Sequence, residues 1–176
     1  PGAGNTVTGL MTAQMDSVPM IVVCGQQVTW MLGKDAFQEA DIFGITIPVV
    51  KHNYLVKETN DLVRVAKEAY HIATTGRPGP VLIDVPKDVS SGNFTGDMDP
   101  EFDLPGYDPS ESLNINPTSI EEAVALIAAA KRPVILAGQG TMIARADKEL
   151  MELAEKLQCP VTSTLLGKGV FPETHA

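Results

Sequence analysis

Three carboxylates, a lysine and a glutamine fall within the run Gly33-Lys34-Asp35-Ala36-Phe37-Gln38-Glu39-Ala40-Asp41, and Val49-Val50-Lys51-His52 follows a few residues on. Carboxylates exchange protons, an amide both donates and accepts, and a lysine attracts an anionic substrate. The run comes directly after an apolar strand, the place where open α/β sheets present their chemistry. On residue types alone it fits a solvated surface helix as well as a site. A second group is Pro1-Gly2-Ala3-Gly4-Asn5, which feeds Val7, Leu10, Met11 and Met15 at roughly helical spacing. A glycine-rich turn therefore leads into a helix N-terminus, whose free N–H groups suit a polar or anionic ligand. Plain turn glycines would look the same. The third is Gly138-Gln139-Gly140, which lacks the full dinucleotide fingerprint and an evident acidic ribose partner. Cys24 and Cys159 give no disulfide framework, and His52, His71 and His175 are scattered, so no metal ligand is assigned.

The elements that position these residues alternate. Met20–Cys24 and Val81–Ile83 are short continuous apolar runs, expected as strands buried on both faces of a parallel sheet. Val49–Val56 reads as another strand with Lys51 and His52 embedded in it, where the ammonium needs a partner or a wet cleft. From Thr59 to Thr75, Leu62, Val65, Ala66, Ala69, Ile72 and Ala73 share one helical face, with Arg64, Lys67 and Glu68 away from it. Gly76 suits a left-handed helix end there. Strand, helix and strand in this order predict a parallel sheet with right-handed crossovers.

Between Ser91 and Pro117 the acids Asp97, Asp99, Glu101, Asp103, Asp108 and Glu111 mix with Gly and Pro, which predicts an acidic interdomain linker over 91–116. The spacing of an EF-hand is absent. A second unit follows over 117–176. Thr118 and Ser119 are expected to cap a helix whose buried face is Ile120, Ala123, Val124 and Ile127. Strand 133–137, a helix near 146–157 and strand 160–164 continue the Rossmann-like theme.

The formal charge of −9 and pI near 4.7 argue against non-specific nucleic-acid binding and against an anionic membrane surface. No apolar run is long enough to span a bilayer, and the two separated cysteines suit a reducing compartment, expected to be the cytoplasm, or a plastid in a plant or alga.

Three blocks carry a resemblance: Gly33 to Asp41, Lys51-His52-Asn53-Tyr54, and Gly76-Arg77-Pro78-Gly79-Pro80 running to Asp84-Val85-Pro86-Lys87-Asp88. Together they resemble the large catalytic subunit of acetohydroxyacid synthase (acetolactate synthase), a thiamine-diphosphate enzyme family. The resemblance implies that 1–90 is the second half of the pyrimidine-binding domain and 117–176 the first part of a middle domain that holds FAD. It also implies that the family's catalytic Glu lies upstream of this stretch and the diphosphate and Mg2+ site in a further C-terminal domain, so that this chain is an internal fragment. Such a fragment is expected to be poorly stable alone, with apolar edges exposed.

By the same resemblance Gln38 is the family's active-site glutamine and Phe37 lines the substrate channel beside it. Lys51 is expected to face that channel and attract a 2-oxo acid. Val28, Met31, Ala36 and Lys87 are expected at the substrate or inhibitor channel. Gly2 and Asn5 fall in the block near the cofactor's pyrimidine; Arg77, Gly138, Gly140, Thr164 and Leu165 are expected at FAD. One departure stands out: Gly25-Gln26-Gln27-Val28-Thr29-Trp30 occupies the place of a common Gly-Gln-Val-Pro, with Val28 for the proline. Altered inhibitor sensitivity with intact chemistry is expected from it. The implied reaction decarboxylates pyruvate and joins the two-carbon unit to pyruvate or 2-oxobutyrate, for branched-chain amino-acid synthesis. The family's active site forms between subunits, so a homodimer at least is implied, with room for a regulatory small subunit. The alternatives are another thiamine-diphosphate enzyme, of glyoxylate carboligase or oxo-acid oxidase type, and a non-catalytic nucleotide-binding α/β module.

Overall fold

The computed structural model describes residues 1–107 and 115–175, so the linker acids Asp108 and Glu111 lie outside the described residues. The chain divides into two units, Pro1–Leu113 and Asn114–Ala176. In the first, a 3-10 turn Gly2–Asn5 leads into helix α1 (Thr6–Met15), strand β1 (Met20–Gln26), a short helix α2 (Ile42–Thr46), strand β2 (His52–Leu55), helix α3 (Leu62–Thr74), strand β3 (Pro80–Pro86) and a helical turn α4 (Lys87–Ser90). The sheet order is β1-β3-β2, all parallel, with Met20 opposite Pro80, Gln26 opposite Pro86 and His52 opposite Val81.

All seven residues of the central strand β3 are buried. Its side chains alternate between two cores. Val81, Ile83 and Val85 pack with Val65, Ala69, Ile72 and Ala73 of α3, while Leu82 joins Leu10, Cys24, Ile42, Val49 and Val50. Each fully buried aliphatic side chain of this kind contributes about 1.5–3 kcal/mol relative to exposure. The α3 face follows the predicted periodicity with two exceptions, Ala66, which is exposed at the margin of the stripe, and Glu68. Glu68 is buried rather than solvated, because Arg64 Nη1 pairs with its Oε1 at 2.7 Å and Tyr54 hydrogen-bonds to it. Gly76 takes the left-handed conformation its place after the helix requires, with φ +61.

Two strand expectations need correction. β1 is not buried on both faces: Met20, Ile21 and Val23 are exposed, since β1 is an edge of the three-stranded order. The second strand covers only His52–Leu55, because Pro48 holds Ile47–Val49 in a 3-10 turn and has no N–H to give to a ladder. Lys51 thus stands just before the strand, its own N–H donating to Pro80 O at 2.8 Å.

The second unit contains α5 (Pro117–Ala129), β4 (Ile135–Ala137), α6 (Gln139–Ile143), α7 (Asp147–Leu157) and β5 (Val161–Ser163), with β4 and β5 parallel. Its core is Ala137, Leu150 and Val170, flanked by Ile135, Val161 and Phe171. The cap of α5 is Asn116, whose side chain accepts from Thr118 N, rather than Thr118 or Ser119. Its apolar stripe is not buried either: Ile120, Val124 and Ile127 are exposed, and this small core lies elsewhere.

Candidate active site

Parallel strands deliver their following residues to one edge, and here the C-terminal edge of β1 and β3 gathers most of the chemistry. After β1 come Val28, a 3-10 turn Thr29–Met31 and the Gly33–Asp41 loop; after β3 comes Lys87. Asp88 ties the two exits together, accepting from Thr29 N at 2.9 Å and Thr29 Oγ1 at 2.6 Å, and these bonds hold its carboxyl below the usual range.

The loop is wound tightly. Gly33, Asp35 and Gln38 all have positive φ, at +75, +55 and +61. For Asp35 and Gln38 a left-handed backbone costs about 1–3 kcal/mol each and persists only where surroundings hold it. Glu39 supplies one hold, accepting from Gly33 N and from Ala36 N at 2.8 Å; these amides keep its carboxyl ionised well below its ordinary range. Gln27 Nε2 donates to Phe37 O, and Gln26 Nε2 donates to Ala40 O at 2.8 Å. Asp41 then caps α2, accepting from Gly44 N at 2.9 Å.

Gln38 opens on a cleft of about 450 Å³ whose other walls include Gly2, Thr6, Cys24, Gln26 and Ala40. This volume suits a small-molecule site. No side-chain carboxylate among the described residues lines it. Phe37 is 82% exposed and Lys87 is exposed at the same edge, Met31 is partly exposed and Ala36 half-buried. Asn5 is exposed at the start of α1, outside the cleft lining. A larger hollow of about 620 Å³ lies in the second unit and holds the His175–Glu155 pair, but none of the expected site residues lines it.

Lys51 and Arg77 are not brought to this edge. Lys51 Nζ donates to Ile72 O and to Thr75 O at 2.7 Å, closing the last turn of α3, and burial lowers the pKa of its ammonium. Arg77 donates through Nε to Ser17 Oγ at 2.8 Å and through Nη2 to Met15 O at 2.8 Å and Gln14 O at 3.2 Å, closing the end of α1. Both sit where helices end and β3 begins. Gln38 lies beyond the other end of the sheet, about 20 Å along the strand direction at ~3.3 Å per residue. Cations at helix C-termini satisfy orphan carbonyls and oppose the dipole.

In the second unit the expected residues do converge. Gly138 and Thr164 follow paired strand ends, Ala137 opposite Ser163, and Thr164 N donates to Ala137 O at 2.9 Å. Thr164 Oγ1 accepts from Gly167 N at 3.2 Å, closing the 3-10 turn Leu165–Gly167, with Leu165 83% exposed. Around Gly140 no atom lies within 4 Å of where a Cβ would stand, leaving open backbone beside the turn.

The supporting roles of three residues escaped sequence reasoning: Gln26, Asp84, and Glu39, which the sequence shows only as one carboxylate of the Gly33–Asp41 run. Asp84 carried a signal, since a carboxylate interrupts the apolar run Val81-Leu82-Ile83-Asp84-Val85. The partners of Gln26 and Glu39 carried none, because they are set by the loop's path.

Val28 has φ −58 and ψ 146, backbone angles that proline adopts without strain. Val28→Pro is therefore expected to keep the fold and to stabilise it by about 0.4–1 kcal/mol, through a less free unfolded chain. Denaturant unfolding of the full-length protein reads this, and a destabilised Val28→Pro would show that the Val28 N–H is required.

Residues 1–45 match the model of the thiamine pyrophosphate enzyme N-terminal TPP binding domain, and residues 120–176 that of the thiamine pyrophosphate enzyme central domain. The chain is 50% identical over 177 residues to the acetolactate synthase large subunit of Mycobacterium tuberculosis, covering 99% of this chain and 28% of that protein. It is 52% identical over 179 residues to the acetolactate synthase of Arthrospira platensis, covering 99% and 30%. To the probable acetolactate synthase large subunit of Methanocaldococcus jannaschii it is 48% identical over 178 residues, again covering 99% and 30%. The chain thus spans less than a third of the length of these curated relatives. With the parallel α/β sheet and the two matched domains, these likenesses show that the chain belongs to the thiamine pyrophosphate enzymes and, within them, resembles acetolactate synthase large subunits along nearly all its length.

Proposed function

We propose that the protein carrying this chain is an acetolactate synthase, which decarboxylates pyruvate and joins the two-carbon unit to a second pyruvate or to 2-oxobutyrate. The observation that carries the reading is Gln38. Its exposed amide stands over a cleft at the C-terminal sheet edge, in a backbone conformation that other side chains hold against its own preference. The cleft between Gly2 and Gln38 fits one wall of a site for the aminopyrimidine of thiamine diphosphate, offering backbone, a hydroxyl and two amides. The reactive carbon and the electron sink for decarboxylation come from thiamine diphosphate when it is bound. The acid needed against the pyrimidine nitrogen is supplied from outside this cleft lining, which has no carboxylate.

Within that division of labour Gln38 donates a hydrogen bond to the substrate's oxygen, Phe37 screens it from water, and Lys87 with Val28, Met31 and Ala36 forms the approach. Lys51 and Arg77 act in this chain as helix-end clamps, supported by their bonds to the carbonyls of α3 and α1. No group of acids, histidines or cysteines among the described residues could hold a metal ion, so Mg2+ is assigned to residues beyond them. FAD is assigned to the turn Gly138–Gly140 and to Thr164 and Leu165, where open glycine backbone leaves room for a ligand. A homodimer, with or without a regulatory small subunit, and a cytoplasmic or plastid location complete the proposal; no helix among the described residues is long and apolar enough to cross a membrane.

Product analysis tests the reading. The full-length protein, given pyruvate and 2-oxobutyrate with thiamine diphosphate, Mg2+ and FAD, is expected to form acetolactate and 2-aceto-2-hydroxybutyrate. Acetate with oxygen consumption, or condensation of glyoxylate alone, would replace it by the oxidase or the glyoxylate carboligase.

A further inference from the structure

A carboxylate in the middle of a buried strand is expensive unless it is paired. Asp84 is 1% exposed on β3, surrounded in sequence by Val81, Leu82, Ile83 and Val85, yet among the described residues it receives only one side-chain hydrogen bond, from Gln26 Nε2 to Oδ2 at 3.0 Å. Its Oδ1 is buried with no hydrogen-bond partner among the described residues. Burial, and then the charge of Asp41, push its carboxyl above the ordinary range, while the bond from Gln26 works the other way. An apolar residue of similar size would remove this cost, so local stability does not account for Asp84.

What Asp84 does account for is the orientation of one amide. Gln26 uses both of its donors and its oxygen: Nε2 donates to Ala40 O and to Asp84 Oδ2, and Oε1 accepts from Gln27 N at 2.9 Å. An ionised carboxylate only accepts, so Asp84 dictates which end of the amide faces the loop. Turned over, Gln26 would set its oxygen against Ala40 O and its NH2 against Gln27 N. The consequence reaches Gln38 from both sides. Gln26 holds Ala40 O, two residues after Gln38, while Gln27, fixed through its own N–H, holds Phe37 O immediately before it. Gln38 is the left-handed residue between these two clamps.

We propose that Asp84, acting through Gln26, is the positioning residue that holds Gln38 in its left-handed conformation over the cleft. The kinetic part rests on the acetolactate synthase reading; the conformational part does not. Two variants of the full-length protein break the relay differently. Gln26→Glu keeps shape but aims an oxygen at Ala40 O and Asp84 Oδ2, and Asp84→Leu removes the acceptor. Asp84→Asn keeps an acceptor for Gln26 and is the conservative rescue.

Hydrogen exchange by mass spectrometry and steady-state kinetics are read together. In Gln26→Glu and Asp84→Leu, amides of residues 36–42 are expected to exchange at least about tenfold faster while those of 81–85 keep their rates, and Asp84→Asn stays near the wild-type rate. The kcat for acetolactate is expected to fall roughly 10- to 100-fold with KM for pyruvate changed less than about threefold, as misplacement of a group acting in the transition state requires. Unchanged exchange at 36–42 in Asp84→Leu would overturn the proposal. So would equal acceleration at 81–85, which would mark Asp84 as a plain structural residue. Failure of the wild-type protein to form acetolactate would remove the acetolactate synthase reading, and the exchange rates would still decide the positioning role.

Discussion

Gly167→Ala is expected to strip FAD from the full-length protein. A Cβ at this position would lie 2.6 Å from Ala137 O and 3.1 Å from Gly138 C and Cα. These are backbone atoms at the end of β4, in a strand paired with β5, and they have no rotamer to move into. The turn Leu165–Gly167 must lift away instead, breaking the bond from Gly167 N to Thr164 Oγ1 and shifting Thr164 and Leu165 from the edge they share with Gly138. Overpacking of this kind costs about 1–3 kcal/mol. The measurement is flavin absorbance per mole of purified protein, with unfolding by denaturant alongside. Gly140→Ala is the structural comparison, since no atom lies within 4 Å of its added methyl, and it is expected to unfold near the wild-type denaturant concentration. Full flavin occupancy and unchanged stability in Gly167→Ala would contradict the placement of the flavin contact at this turn.

The second large effect is expected at Gln38. Because its φ is +61, any residue with a Cβ carries a conformational penalty here, so activity depends both on the amide and on the loop's left-handed path. Gln38→Gly separates them: glycine adopts that conformation freely, so the loop keeps its path while the amide is gone. Loss of one well-placed donor to developing charge lowers kcat by about 100-fold, equivalent to ~2.7 kcal/mol. The variant is expected to show this fall in acetolactate formation with little change in the protection of residues 36–42. Gln38→Val is expected to lose that protection as well, since a β-branched residue is poorly tolerated at positive φ. A Gln38→Gly enzyme with wild-type kcat would show that the amide does not act on the substrate.

Much of the first unit was legible because its signals are local. The α3 stripe, the left-handed Gly76 and the apolar run of β3 each follow from residues within one element, and the parallel order follows from their alternation. Burial of whole faces was not legible, because it depends on neighbours distant in the chain. β1 reads as a doubly buried strand yet forms an edge, and the apolar stripe of α5 is exposed. The catalytic-looking lysine shows the same limit more sharply. An ammonium at the start of an apolar strand requires a partner, which the sequence states, but which partner depends on where α3 ends, and the carbonyls of Ile72 and Thr75 provide it. The Gly33–Asp41 loop was visible as a cluster of polar side chains, while the means of holding it was not. Gln26 meets Asp84 across 58 residues of sequence, a contact created only when β1 lies beside β3.

On the proposed reading, the Gln38 cleft and the Gly138–Leu165 turn serve one acetolactate-forming enzyme with a flavin that undergoes no net redox change. The most direct measurement is acetolactate formation from pyruvate by the full-length protein with thiamine diphosphate and Mg2+, with FAD present and after its removal. Acetolactate is expected in the first case and its loss in the second, restored by adding FAD. Acetolactate formed equally well without FAD would contradict the flavin assignment, and none formed by a folded protein holding both cofactors would contradict the synthase itself.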